Sequence, residues 1–390
     1  MKTMRIAFYT DTYLPNIDGV VSQVIASKQE LERRRHYVHV FTPGTRKEKL
    51  KFQSPTVTYY EGVKFPLYPA YKLAIFPYSS ILKCRQTEIE IIHCHALATM
   101  SLASIASAKA LNLPLIGTFH TMIPLAAHYL TQNKEYQKML TNASWKAIKT
   151  LYKPFDVVTA PSNTIAHLLE EHGVENVKVV SNGISTHSFN SRDANAEREK
   201  SRKRLGIQKN ELVFLFVGRI TEEKNVNVVV KAFDIINAIY PNTKLLIVGD
   251  GPAFSPLKQF VVKVKAKKSI TLVGQVNHSE MLGYYAACDW QVTASTFETQ
   301  GLGILEGMAC GKPCIGANAL AIPETVKNNL TGYLFPAYDV EKCVEKMEAA
   351  IALNDSSKYS KMCRNAGTMG EKHSIQRTTI KWEKLYRSVL

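Results

Sequence analysis

Short apolar runs alternate with helix-periodic segments through most of the 390 residues of this chain. Residues 5–10, 38–42, 89–93, 114–119 and 156–159 read as strands, and residues 20–35 have helix spacing. The strands are apolar on both faces. A strand of that kind must be covered on both sides, which selects a parallel sheet with helices packed against each face. The pattern restarts with strands over 212–217, 244–248, 270–273, 290–293 and 313–316. The expectation is an α/β protein with two parallel-sheet domains, residues 1–190 and 206–370. A polar, charge-dense stretch over 191–205 reads as the linker. Residues 371–390 have helix character, with Trp382 and Tyr386 spaced i, i+4, and are expected to pack back on the first domain.

Composition narrows the class. A hydrophobic fraction of 45% supports full cores. The formal charge is +16, and it is spread: residues 1–195 carry 22 basic and 14 acidic side chains, the rest 27 and 19. Such an excess suits an anionic substrate, an anionic membrane surface or nucleic acid, or no specific partner. Nucleic acid is disfavoured because the basic residues do not interleave with aromatics. No run reaches the roughly 18–20 apolar residues that span a bilayer, and Asp11 interrupts any signal-peptide core. The expected location is therefore cytoplasmic. Seven cysteines lack a paired framework. Cys310 and Cys314, or His93–Cys94–His95, invite a zinc reading, but the spacings do not repeat and reduced thiols fit better.

Ligands of doubly wound sheets lie at the carboxyl ends of the strands, and with two such domains the cleft between them is the expected site. The residues after each strand therefore carry the functional reading. In F-E-T-Q-G-L-G-I-L-E-G-M-A (297–309), a glycine turn feeds a helix N-terminus, a natural seat for phosphate. Glu298 before the turn and Glu306 one turn into the helix can accept from sugar hydroxyls. The segment suits a molecule built as hydroxyls–diphosphate–hydroxyls, or else is a plain loop between two surface glutamates. Arg219 and Lys224 in G-R-I-T-E-E-K-N (218–225) can clamp a diphosphate, although Glu222 and Glu223 also suit a solvated turn. The G-D-G-P turn at 249–252 is permissive for a ligand edge and equally for an ordinary turn. Asp18 and Gly19, before a helix, offer close backbone approach or an Asx turn. His120 in G-T-F-H-T-M can bond a sugar, act as a base or be structural. His93 and His95 read as residues of a rim. No dinucleotide fingerprint, P-loop or D-x-D metal pair occurs at a strand end.

Read in order, D-G-V (18–20), G-T-F-H-T, A-P-S (160–162), S-N-G-I (181–184), G-R-I-T-E-E-K-N, V-G-D-G-P and the E-x7-E segment resemble the retaining glycosyltransferases of family 4. The resemblance implies the GT-B architecture: two Rossmann-like parallel-sheet domains with an interdomain cleft. It implies that Arg219 and Lys224 bind the donor diphosphate, Glu306 the ribose and Glu298 the donor sugar. Gln300, Gly301 and Leu302 would lie by sugar and phosphate, with Asp18, Gly19, Gly218 and Gly251 also at the donor and His120 near C6 of the sugar. Transfer in such enzymes keeps the anomeric configuration and needs no metal or other cofactor. The favoured mechanism is front-side attack, with the leaving phosphate taking the acceptor's proton. T-D-T-Y-L-P, F-H-T-M and E-T-Q-G-L look nearest to glucosyltransferases acting on diacylglycerol-type lipids. That implies UDP-glucose as donor and a lipid acceptor, on the inner face of the plasma membrane without spanning it. The alternatives are a GDP-mannose-dependent mannosyltransferase and a nucleotide-sugar epimerase. Two basic runs, Arg46, Lys47, Lys49 and Lys51, and residues 258–268, can face a membrane or be solvated faces. Where many relatives carry two glycines before P-E, this chain has Ala321 and Ile322, whose side chains are expected to narrow the site.

Overall fold

The computed structural model describes residues 2–16, 18–64, 72–75, 77–125, 131 and 133–390. The chain forms two units: residues 1–183 with 375–390, and residues 184–374. In the first, the described strands are β1 (Arg5–Tyr9), β2 (Tyr37–Gly44), β3 (Val57–Lys64), β4 (Lys72–Ala74), β5 (Ile91–Cys94), β6 (Leu115–Thr118), β7 (Val157–Ala160) and β8 (Val177–Val179). They lie in the order β4-β3-β2-β1-β5-β6-β7-β8. All neighbours are parallel except β3 and β4. The second unit holds β9 (Leu212–Val217), β10 (Thr243–Val248), β11 (Ile270–Gly274), β12 (Trp290–Thr293), β13 (Cys314–Ala317) and β14 (Gly332–Phe335), in the all-parallel order β11-β10-β9-β12-β13-β14.

Burial explains the apolar runs. Along β9, Phe214 and Phe216 enter one core cluster, while Val213 and Leu215 enter another on the opposite face. β10 repeats this, with Leu245 and Ile247 on one side and Leu246 and Val248 on the other. Consecutive strand residues point to opposite faces, so both faces must be apolar, as two layers of helices require.

Each sheet has one place where the strand order reverses, and the chain leaves adjacent strands in opposite directions. It lies between β1 and β5 in the first unit and between β9 and β12 in the second. Ligands of doubly wound sheets bind at such switch points.

The stretch expected to be a linker is helical. Residues Ser191–Arg204 form a helix of the second unit, with Asn190 accepting from the Asp193 amide as N-cap. Its charge has a structural use. Arg198 donates to the carbonyls of Ala286 and Cys288, and Arg202 to that of Ala287. Both reach the buried Asp289, at 2.5 and 3.5 Å. The two guanidiniums thus cap the carboxyl end of the helix Met281–Ala287. The change of unit falls between Gly183 and Ile184.

The final helix, Ile375–Val389, belongs to the first unit, where Trp382, Leu385 and Tyr386 join the core with Phe8, Ile91 and Ile116. Among the described residues no helix is long and apolar enough to cross a membrane. The seven cysteines are free; six are buried and Cys363 is half-buried.

Candidate functional site

In the second unit, the loops leaving β9 and β12 meet at the switch point. After β9 the chain makes a single 3-10 turn, Glu222–Lys224, ended by Asn225 at φ +47°. The Glu223 carbonyl accepts from the Thr296 backbone amide (2.9 Å), and Asn225 Nδ2 donates to the Ala294 carbonyl (3.3 Å). This stitching brings Lys224 Nζ to 2.6 Å from Glu298 Oε1. Both side chains are mostly shielded, 16% and 20% exposed, so the pair is stronger than a surface bridge. Arg219 is exposed on the same loop, beyond Gly218.

The G-D-G-P turn after β10 packs directly on the β9 loop. Ile220 donates its amide to the Asp250 carbonyl and accepts from Ala253, each at 3.0 Å. A Cβ on Gly251 would stand 2.4 Å from the Ile220 oxygen, and one on Gly249 1.8 Å from that of Gly218. These glycines allow two backbones to touch, a sufficient reason for them before any ligand is considered.

Gly301 is left-handed, φ +83°, and starts the helix Leu302–Ala309. Its carbonyl takes the amides of Ile304 and Leu305. The amides of Leu302 and Gly303 therefore precede the first helical bonds, at the positive end of the helix. Buried Gln300 leads into this turn. Glu306 follows one turn in and is half-buried.

Two partners of Glu306 were not anticipated. The Tyr285 hydroxyl lies 3.0 Å from its Oε2, and His278 Nε2 lies 3.5 Å from its Oε1. Burial and the Glu306 charge hold the Tyr285 phenol well above its usual pKa, so it stays a donor. The bond to Glu306 raises the His278 pKa despite partial burial. His278 follows β11, so the strand-end rule finds it; Tyr285 lies inside a helix and has no local sequence signal.

The loop before P-E differs from expectation. Ala321 has right-handed backbone, φ −83°, and the left-handed residue is Leu320, φ +42°. Ala321 is fully buried, and Ile322 packs with Ile304, Met308 and Val326 in a core cluster. Their side chains serve packing and do not narrow the site.

In the first unit, Asp18 caps the helix Gly19–Arg33, accepting from the Val21 amide at 2.8 Å. This is the Asx-type reading of that residue, and Gly19 begins the helix. Buried Asp11, also after β1, caps the helix Thr99–Leu111 by accepting from the amides of Leu97 and Ala98, each at 2.8 Å. Burial outweighs these bonds and raises its pKa. His120 follows β6 and contacts His95 at 2.9 Å, Nε2 to Nδ1. Burial lowers His120 to about 4, so it is neutral at physiological pH. His93 and His95 are not on a rim; they are 1% and 6% exposed. The structure thus brings Lys224, Glu298, Gln300, Gly301, Leu302 and Glu306 into one neighbourhood of the second unit, and Asp18, Gly19 and His120 onto strand ends of the first. No cluster of metal-ligating side chains occurs among the described residues.

Known proteins match this arrangement in sequence and in fold. The family model "Glycosyltransferase Family 4" matches residues 17–188, and "Glycosyl transferases group 1" matches residues 197–369. An alpha-monoglucosyldiacylglycerol synthase of Streptococcus pneumoniae is 31% identical over 365 residues, 92% of this chain and 80% of that protein. A GDP-mannose-dependent alpha-mannosyltransferase of Corynebacterium glutamicum is 25% identical over 370 residues, 94% of this chain and 84% of that one. Among solved structures, Anabaena Alr3699/HepE in complex with UDP and glucose superposes with a TM-score of 0.77 at 18% identity, covering 99% of this chain and all of the other. With both family models placed in tandem on two parallel-sheet units, the chain belongs to glycosyltransferase family 4 and has the GT-B fold.

Proposed function

We propose that the protein moves glucose from UDP-glucose to a diacylglycerol-type membrane lipid with retention of configuration, without a metal ion. The observation that carries this reading is the Lys224–Glu298 pair at the switch point, one helical turn and a glycine corner from Glu306. Glu306 accepts from the ribose, steadied by Tyr285. Glu298 accepts from hydroxyls of the glucose, and Arg219 and Lys224 meet the diphosphate between them. As the bond between C1 and the phosphate oxygen breaks, negative charge grows on UDP, and the two cations and the helix N-terminus stabilise it. The acceptor hydroxyl bonds to C1 on the same face, and its proton passes to the departing phosphate oxygen.

The lipid assignment leans on the diacylglycerol synthase relative and on one surface. The helix Arg46–Phe52 has no buried residue, and Leu50 is 82% exposed among Arg46, Lys47, Lys49 and Lys51. Cations around an apolar tip suit the surface of an anionic bilayer on the cytoplasmic side. The run over 258–268 is a poorer candidate, because Val261 and Ala266 turn into the core. Identity to a GDP-mannose-dependent relative over most of the chain favours mannose transfer as the second reading. A panel of UDP-glucose, UDP-galactose and GDP-mannose with diacylglycerol in anionic vesicles tests both. The first reading predicts glucosyl-lipid from UDP-glucose alone; mannosyl-lipid from GDP-mannose would replace it. An altered free nucleotide-sugar without transfer would point to the epimerase alternative.

A further inference from the structure

The turn Glu222–Lys224 passes into the helix Val226–Ile239 through Asn225, which is held at φ +47°, ψ +40°. Glycine adopts that left-handed backbone freely, and asparagine and aspartate are the side chains that tolerate it best. The backbone alone would therefore be served best by glycine. The reason for asparagine lies in its amide.

Asn225 Nδ2 has three oxygens within reach: the carbonyls of Glu223 (3.1 Å) and Ala294 (3.3 Å), and Thr296 Oγ1 (3.3 Å). A carbonyl can only accept, so the atom that faces two of them is the nitrogen of the amide. Its two protons can be placed. Thr296 donates to the Glu223 carbonyl twice, from its backbone amide at 2.9 Å and from its hydroxyl at 3.2 Å. Those two bonds fill the lone pairs of that oxygen. The Asn225 protons then go to Ala294 and to Thr296 Oγ1, both on the loop after β12.

This staple stands beside both ends of the ion pair. Asn225 adjoins Lys224, and Thr296 lies two residues before Glu298, whose Oε1 is 2.6 Å from Lys224 Nζ. A lysine carries its charge on a flexible four-carbon stem, so where that charge stands depends on how the backbone beneath it is held. We propose that Asn225 is a positioning residue for the diphosphate: its side-chain amide ties the loop after β9 to the loop after β12 and so fixes Lys224 against Glu298. The inference rests on the reading that Lys224 meets the leaving diphosphate, and every residue it uses belongs to the second unit.

The test is steady-state kinetics of the full chain with the donor that the panel shows to be active. Asn225→Gly keeps the left-handed backbone and removes the amide. It should lower kcat about tenfold, the worth of two hydrogen bonds of modest net strength, with donor KM within about twofold of wild type. Asn225→Asp keeps the shape but turns a carboxylate oxygen toward the Ala294 carbonyl, and should lose at least as much. A purely conformational role predicts the opposite order, glycine as good as asparagine and aspartate tolerated, and that result overturns the proposal. Thr296→Val cuts the same staple from the other loop without touching the left-handed residue, and should also slow turnover; full activity in both Asn225→Gly and Thr296→Val overturns it too. A double-mutant cycle shows through which residue Asn225 acts. In a Lys224→Met background, Asn225→Gly should cost less than about twofold more; a second tenfold loss there means that it does not act through Lys224. Near-normal turnover in Lys224→Met alone would remove the diphosphate reading itself, whereas a slow Lys224→Met beside an unaffected Asn225→Gly removes only the role of Asn225.

Discussion

Lys224→Met tests the donor site most directly, because its structural and catalytic effects differ in size. The lysine is bonded at 2.6 Å to Glu298, with both side chains about four-fifths shielded. Exposed pairs are worth about 0–1 kcal/mol, and breaking a fully buried one costs about 3–5 kcal/mol. This pair lies between, so the variant should lose about 1–2 kcal/mol, a shift of only a few degrees in Tm for a protein of this size. A charge lost from beside a leaving diphosphate is worth far more. Removing one preorganised donor at a developing anion costs about 10²–10³ in turnover, or about 2.7–4 kcal/mol. The assay is donor-dependent release of the nucleoside diphosphate, run beside a thermal melt. Turnover within about threefold of wild type would refute the clamp, and a melt displaced by tens of degrees would make the loss structural. Glu298→Gln gives a complementary reading. It removes the charge that now engages Lys224 and an acceptor for sugar hydroxyls together. UDP, which lacks the transferred glucose, should then bind more tightly while transfer slows; weaker UDP binding would contradict this picture.

Three further outcomes follow from the same geometry. The His278 pKa is raised by its bond to Glu306, so that pair stabilises the fold below the ordinary histidine pKa and the contribution fades as pH rises through the raised value. Donor affinity should run the opposite way, weakening as pH falls and His278 charges and competes with ribose for Glu306, and His278→Gln should flatten the profile measured by calorimetric titration of UDP between about pH 6 and 8. Glu306→Ala should mainly weaken donor binding, and an unchanged donor Kd would remove its ribose role. Asp289→Ala leaves Arg198 and Arg202 without their shared carboxylate and the Val213 amide without its 2.8 Å acceptor. A loss of about 3–5 kcal/mol is expected in urea unfolding, and a loss under about 1 kcal/mol would mean that the guanidiniums find the helix carbonyls sufficient.

What could be read from the sequence, and what could not, has a physical pattern. Strands such as β9 were legible because burial on both faces leaves only apolar residues. The edge strand β8 was not, since Lys178 and Val179 remain exposed and the run is three residues long. The helix Ser191–Arg204 was misread because its anchors are arginines, and apolar periodicity cannot detect a helix held by Arg198 and Arg202 on Asp289. Glu298 and Glu306 were visible because a glycine corner before a helix is a local signal. Their partners are not local: Lys224 is 74 positions from Glu298, and Tyr285 is 21 from Glu306. His95 was misplaced on a rim because residues one position either side of a short strand's end look alike in sequence, and only packing against Phe8 and His93 separates core from surface.

The return of the final helix to the first unit bears on the order in which the protein can assemble. Residues 184–374 are contiguous and complete once the ribosome has passed them. The first unit, although it begins earlier in the chain, lacks Trp382, Leu385 and Tyr386 until residues 375–390 emerge. The second unit can therefore fold first while the first waits with part of its core uncovered, a state prone to association and a natural client for a chaperone. The same delay reaches buried His93, whose Nδ1 lies 2.7 Å from the Tyr386 hydroxyl. A chain truncated after residue 374 and released from the ribosome should resist protease in its later half and remain cleavable in its earlier one.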